Sequence, residues 1–166
     1  MSETMGRLAE ATTLEEVQRI VRTTARVSLA AHGATLVLLD GELCYYADED
    51  SMSPLWKGQR FPAVNCISGW AMIHRQTVAI RDIRFDARIP QEAYRPTFVR
   101  SLVMAPILRP EPLGAIGCYW AVPHTATPAE TQTLESLALA AGEALERFPE
   151  GLPARGFFGC ERPAGA

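Results

Sequence analysis

The residue types able to do chemistry crowd into one stretch, "NCISGWAMIHRQTVAIRDI", residues 65–83. Cys66 and His74 could serve as nucleophile and base, but such a pair needs hydrogen-bond reach and a third group to orient the base. "CISGWAMIHR" reads as a short helix, with Ile67, Ala71 and His74 on one stripe and Asn65 as its cap. Cys66 and His74 then stand two turns apart, about 12 Å at ~1.5 Å per residue, which argues against a dyad. Cys66 keeps two readings. In the first helical turn the dipole would favour its thiolate and give it redox reactivity. A free cysteine also serves as a small buried hydrophobe. His74 fits a solvated histidine at a helix end. Trp70, beside Gly69, either offers a flat apolar wall to a pocket or packs on a sheet.

A second feature follows. Residues 75–100 hold Arg75, Arg81, Arg84, Arg88, Arg95 and Arg100 against Asp82, Asp86 and Glu92. Guanidinium forks suit a carboxylate or phosphate, so this excess could meet an anionic ligand. The alternative is a solvated loop whose charges pair with one another.

Composition narrows the function classes. The chain has 166 residues, 48% hydrophobic and 21% charged, which fits one soluble globular domain. A net charge of −3 gives no electrostatic case for nucleic acid. No apolar run is long enough to span a bilayer, and "MSETMGRLAE" lacks the basic start and apolar core of a secretion signal. Cys44, Cys66, Cys118 and Cys160 are scattered without a C-x-x-C, which suggests neither zinc nor a disulfide framework. A cytoplasmic, reduced protein is expected.

The elements that must position these residues are legible in outline. Thr13 and Glu16 make a capping box for a helix with Leu14, Val17, Val21 and Ala25 on one face and Gly33 as its stop. "ATLVLLDGELCYYA" reads as a hairpin turning at Asp40-Gly41 in type I′ geometry. "DEDSMSPLWKGQRFPAV" is a polar loop with a short strand near Arg60-Phe61. "QTVAI" is a strand; one helical turn should follow Pro90 and end at Pro96. "SLVMAPIL" and "LGAIGCYWAV" form a second antiparallel pair, where Pro106 demands a bulge or an edge. Thr127, Pro128 and Glu130 start a last helix with Leu134, Leu137, Ala138, Ala141, Leu145 and Phe148 on its apolar stripe. Residues 149–166 read as a flexible Pro/Gly-rich tail after a single domain at 1–148. The order implies an α+β fold built on an antiparallel sheet of five to six strands.

Three segments carry a family resemblance: "ISGWAMIHRQTVAIRDI", "RIPQEAYRPTFVRSLVMAPI", and "PLGAIGCYWA" with the "ATPAETQTLESLALAAGEAL" helix. Together they resemble a GAF domain, most of all those of bacterial sensor histidine kinases, over residues 14–148. The resemblance implies N- and C-terminal helices packed on one sheet face, and short helices and loops closing a pocket on the other. It points to Trp70, Arg88, Tyr94, Arg95, Phe98 and Met104 as ligand-binding candidates, with Cys66 as a possible redox residue. It implies homodimerisation through the terminal helices; Leu139, which lies off the apolar stripe of the last helix, is the residue whose facing a partner subunit would test this. It implies a two-component type of pathway; with no kinase catalytic segment in the sequence, the expected output is a signalling protein acted on in trans, or the chain is a piece of something longer.

The family's known chemistries can be checked by residue. Free methionine-(R)-sulfoxide reductases need two cysteines close in space, yet their helix cysteine falls at Ser68 here and residues 82–100 hold none. Covalent bilin attachment needs a Cys-His pair, which no cysteine here provides. The cyclic-nucleotide signature is missing, "DIRFDARI" being a faint echo, and haem would have only His74 as a poor axial candidate. No cofactor or metal is named by the sequence. The expected function is a non-enzymatic sensory module, with a thiol reductase and a ligand-free dimerisation module as alternatives.

Overall fold

The computed structural model describes residues 2–153. The helices are α1 (Ser2–Glu10), α2 (Leu14–Ser28), α3 (Ile67–His74), α4 (Gln91–Tyr94) and α5 (Pro128–Leu145). The strands are β1 (Gly33–Asp40), β2 (Leu43–Ser51), β3 (Arg60–Pro62), β4 (Val78–Ile80), β5 (Ser101–Arg109) and β6 (Glu111–Trp120). All pair antiparallel in one six-stranded sheet of order β3-β2-β1-β6-β5-β4. The fold is α+β, as the element order implies.

Both sheet faces are covered, so its strands alternate between two apolar cores rather than between core and solvent. Leu36, Leu38, Val103, Ile107 and Ile116 face α2 and α5, where they meet Val17, Val21, Leu134, Leu137 and Ala141. Val37, Leu39, Leu102, Met104 and Tyr119 face the other way, toward Ile67, Ala71 and Met72 of α3. The terminal helices thus form one layer, and α3, α4 and the connecting loops form the other.

Local signals held where the backbone chemistry is self-contained. At α5 the Thr127 side chain accepts from the Glu130 N–H at 3.1 Å, and the Glu130 carboxylate accepts from the Thr127 N–H at 2.8 Å. At α2 only half of that box forms, because Glu16 reaches back to the Thr12 N–H at 3.1 Å. Other expectations need correction. The cap of α3 is Cys66, not Asn65, and its side chain makes no capping hydrogen bond. Helix α2 ends before Gly33: Ala30 takes the left-handed conformation, φ 48°, and Gly33 opens β1 instead. There a Cβ would stand 2.6 Å from Ser51 Oγ, so the glycine serves a close approach between strands. In the first hairpin Asp40 pairs with Leu43, leaving Gly41 and Glu42 as the turn. Only Gly41 has positive φ (62°), as a type II′ turn requires and a type I′ turn does not.

Helix α1 has no counterpart in the sequence reading because its hold is tertiary. Leu8 is its one buried side chain, and the Arg147 guanidinium donates to the carbonyls of Leu8 and Ala11. Pro106 sits where expected. Pairing with β4 stops at Met104, so β5 is an edge on that side beyond it, and the register with β6 slips between Ile107 and Leu108.

A bulge in β2 sets which side chains reach which layer. Leu36 pairs with Asp48 but Val37 pairs with Tyr46, so Ala47 is the extra residue. An extra residue reverses the face of everything beyond it. Cys44 and Tyr46 therefore face the α3 core. Asp48 and Asp50 point the other way and pair with Arg22 (2.8 Å) and Arg26 (2.7 Å) of α2. Glu49 is left on the α3 side.

Helix α3 lies against the 3₁₀ turn Ala63–Asn65 so closely that only glycine fits at position 69. A Cβ there would be 1.8 Å from the Ala63 carbonyl oxygen. Both partners are backbone, which cannot swing aside as a long side chain could. Gly69→Ala should therefore destabilise the protein by about 3 kcal/mol or more, above the usual ~1–3 kcal/mol for overpacking. Gly6→Ala, in a helix with nothing within 4 Å of the new Cβ, should stabilise by ~0.5–1 kcal/mol. Urea unfolding of both variants checks the contrast.

Candidate functional site

The site is built around Trp56, which lies in the segment that reads as a polar loop. Glu49, placed by the bulge, holds that loop: its carboxylate accepts from the backbone N–H groups of Leu55, Trp56 and Lys57 at 2.9, 3.0 and 2.9 Å. The loop is thereby wound around one carboxylate, and Trp56 is turned inward and buried. Its indole N–H donates to the Ala93 carbonyl of α4 at 2.9 Å, which ties the loop to that helix. Tilted and edge-on contacts surround the ring, with centroids at 4.7 Å to Tyr94, 5.4 Å to Tyr46 and 5.5 Å to Tyr119. Phe61 meets Tyr46 at 5.6 Å. Such edge contacts place a positive ring edge on a negative face.

These aromatics wall a cavity of about 220 Å³, lined by Tyr46, Trp56, Phe61, Pro62, Asn65, Cys66, Pro90, Ala93 and Tyr94. Its wall is almost wholly apolar. The Tyr94 hydroxyl is buried and has no hydrogen-bond partner among the described residues. Burial pushes the Tyr94 phenol well above its usual range, so it stands as a neutral donor and acceptor.

Thiols and hydroxyls gather behind the Cys66 side of the cavity. Ser68 Oγ lies 3.1 Å from Tyr46 OH and 3.3 Å from Cys66 Sγ. Cys44, on the same face of β2 as Tyr46, packs in the same core as Cys66. The neighbouring Cys44 thiol, helped by Ser68 and the backbone N–H groups of Ser68 and Gly69, outweighs burial and pulls Cys66 down to about 7. The Cys66 sulfur, with burial, pushes Cys44 up. His74 takes no part. It stacks on Trp70 at 4.0 Å, and its Nδ1 lies 2.9 Å from the Trp70 carbonyl oxygen.

The candidate residues named from sequence fall in five places. Tyr94 lines the aromatic cavity. Trp70 and Arg88 line a wider outer groove of about 570 Å³, which shares Asn65, Cys66 and Pro90 with the cavity. There the Arg88 guanidinium lies 4.6 Å over the Trp70 ring and is held by Asp86 at 2.6 Å. Arg95 is exposed. Phe98 is half-buried near Gly33 and meets His32 edge-on at 6.5 Å, and Met104 is wholly buried in the sheet. The arginine excess is largely spent within the protein. Arg84 and Arg100 pair with Asp82 at 2.9 and 3.0 Å, and Arg75 with Glu111 at 2.8 Å.

Tyr46, Trp56, Phe61 and Glu49 carry the site and were not singled out from the sequence. The one signal was a tryptophan inside an otherwise polar loop. Among the described residues, no group of three or more His, Cys, Asp or Glu is placed to hold a metal ion. None of their helices is long and apolar enough to cross a membrane.

With this geometry in hand, comparison with known proteins is direct. The family model for the GAF domain matches residues 11–146, and the chain belongs to that family. A search of curated protein sequences gives no match. Among solved structures, the chain is similar to the GAF domain of an Acinetobacter phosphoenolpyruvate-protein phosphotransferase, with TM-score 0.78 and 12% identity over 89% of this chain and 90% of that one. The GAF domain of the Coxiella burnetii phosphoenolpyruvate-protein phosphotransferase gives 0.78 and 14%, over 90% and 92%. A free methionine-R-sulfoxide reductase from Neisseria meningitidis, solved with its substrate, gives 0.74 and 15%, over 91% and 89%. At such identities the likeness is one of fold.

The loop clamp yields a prediction. Glu49→Ala removes a charged acceptor from three backbone donors, and each such bond contributes about 1.5–3 kcal/mol when its donor is left unpaired. With water reaching the exposed part of the loop, a net loss of about 2–3 kcal/mol is expected. Trp56 should also become solvated, seen as a red shift in tryptophan emission.

Proposed function

We propose that this GAF domain is a non-enzymatic sensory module that takes a small, flat, mainly apolar molecule into the cavity beneath Trp56. The observation that carries this reading is the cavity itself, walled by the rings of Tyr46, Trp56, Phe61 and Tyr94 with Pro62 and Pro90 beside them. The outer groove, with Arg88 over Trp70, gives the molecule's polar end a place at the mouth.

Occupation would press on α4 and the 52–59 loop, and through β2 and the sheet on the layer of α1, α2 and α5. A ligand shifts a two-state packing only by its differential affinity for the two states. The output surface we infer is α5. Leu139 is 65% exposed and lies between two grooves. One is lined by Pro106, Leu108 and Ala138, the other by Met5, Leu8 and Ala144. This surface suits a second copy of the chain, in a dimeric relay acting on a signalling protein in trans, in the reduced cytoplasm. Residues 1–148 would form the module. Of the proposed flexible tail, residues 149–151 form a 3₁₀ turn, Leu152 packs on the helix-side core, and 154–166 lie outside the described residues.

Two experiments test the reading. Saturation-transfer NMR with indole should show saturable binding to the wild type and none to Ala93→Trp, which fills the cavity. Equal binding by both would sink the cavity assignment. Light scattering should give a dimer for the wild type and a folded monomer for Leu139→Glu. An unchanged mass would count against the α5 interface. A thiol reductase would instead show thioredoxin-coupled turnover of free methionine sulfoxide.

A further inference from the structure

Cys44 and Cys66 come from segments distant in sequence, yet the fold places both in one buried core on segments tied to each other. Strand β2 carries Cys44 opposite Phe61 of β3. The Ala63 N–H donates to the Glu42 carbonyl at 2.9 Å, which fastens the turn before Cys66 to the start of the same strand. Gly69 then seats the helix that Cys66 caps against that turn. Cys66 is 7% exposed but lines both the aromatic cavity and the outer groove, so a small molecule in either meets this residue. Cys44 is fully buried behind it. Cys118 is fully buried on the opposite face, against the Ala25 carbonyl, and cannot join them.

We propose that Cys44 and Cys66 form a dithiol–disulfide pair, in which Cys66 reacts with a small hydroperoxide entering by the groove and Cys44 resolves the product. The Cys66 thiolate attacks the terminal oxygen of ROOH. An S–O bond forms as the O–O bond breaks, and the alkoxide leaves as ROH with the proton lost from Cys66. Cys66 is then a sulfenic acid, oxidised by two electrons, and the peroxide is reduced. The Cys44 sulfur attacks the Cys66 sulfur, forming S–S and expelling hydroxide, which takes the Cys44 proton and leaves as water. The sum is two thiols and ROOH giving a disulfide, ROH and water.

The division of roles follows from the surroundings. Cys66 Sγ lies 3.3 Å from Ser68 Oγ and 3.8 Å from the Ala63 carbonyl oxygen, and the neighbouring Cys44 thiol, Ser68 and the first backbone N–H groups of α3 favour its anion. Cys44 is held protonated mainly by that neighbouring sulfur. Once Cys66 is a neutral sulfenic acid, this restraint is gone and Cys44 ionises more readily. The disulfide would join β2 to the cap of α3 across a corner of the cavity wall. The proposal stands on the placement of both cysteines in one core beside the cavity and does not depend on whether the cavity takes another ligand.

The test uses the full chain and hydrogen peroxide. After stoichiometric treatment and alkylation, two of the four cysteines should become resistant to alkylation, and peptide mapping should find Cys44 joined to Cys66 within one chain. Dithiothreitol should restore both. With Cys44→Ser the reaction should stop at a dimedone-trappable sulfenic acid on Cys66. The rate of oxidation should rise with pH through about 7, since the thiolate is the nucleophile and forms as its proton is lost. Peroxide that modifies Cys118 or Cys160 in preference to Cys66 would overturn the proposal, as would bridges only between chains. Mapping of the wild-type protein decides this even if a variant fails to fold.

Discussion

The contact between Gly69 and the Ala63 carbonyl is the constraint on which the site depends. With no side chain at position 69, α3 settles directly onto the 3₁₀ turn that precedes it. That fixes the Cys66 cap beside β2, sets Ser68 within reach of Tyr46, and leaves Trp70 on the outer rim. Any larger residue would lift the helix from the sheet, and the thiols, hydroxyls and cavity wall would separate together. The requirement is steric and comes from backbone meeting backbone, so no rotamer change can relieve it.

The bulge at Ala47 does comparable work on β2. By reversing the parity of the strand, it lets one short run serve both layers. Asp48 and Asp50 bind the arginines of α2, while Glu49 reaches across to wind the 55–57 loop. Trp56 is delivered to the cavity only because that carboxylate gathers three N–H groups. The α3 layer and the layer of terminal helices are therefore joined through one irregular strand, a physical route by which occupation of the cavity could reach α2 and α5.

How much of this could be read from the sequence depends on where each element gets its definition. The two threonine caps, the short helix at residues 67–74, the turn after Pro90 and the edge at Pro106 are fixed by neighbouring residues, and pattern alone locates them. Helix α1 rests on Leu8 and on a guanidinium supplied by Arg147, so nothing local announces it. Gly33 looks like a helix stop because glycine favours the left-handed conformation, yet its role is to admit Ser51. The arginines of residues 75–100 look like an anion site, but three acids, one of them distant Glu111, take up most of them. Of the candidate binding residues, Tyr94 lines the cavity. The ring that organises it, Trp56, lay in a stretch whose polarity hid it. Cys44 could not be matched to Cys66 without the β2–β3 pairing. Family membership was legible because motif order survives where contacts do not.

The central claim is that the cavity beneath Trp56 receives a small molecule. Native mass spectrometry of the protein purified from its own host tests it most directly. The account predicts a retained small molecule on the wild-type chain, released on unfolding and absent from Ala93→Trp. The same adduct on both proteins, or binding that survives with the cavity filled, would contradict it.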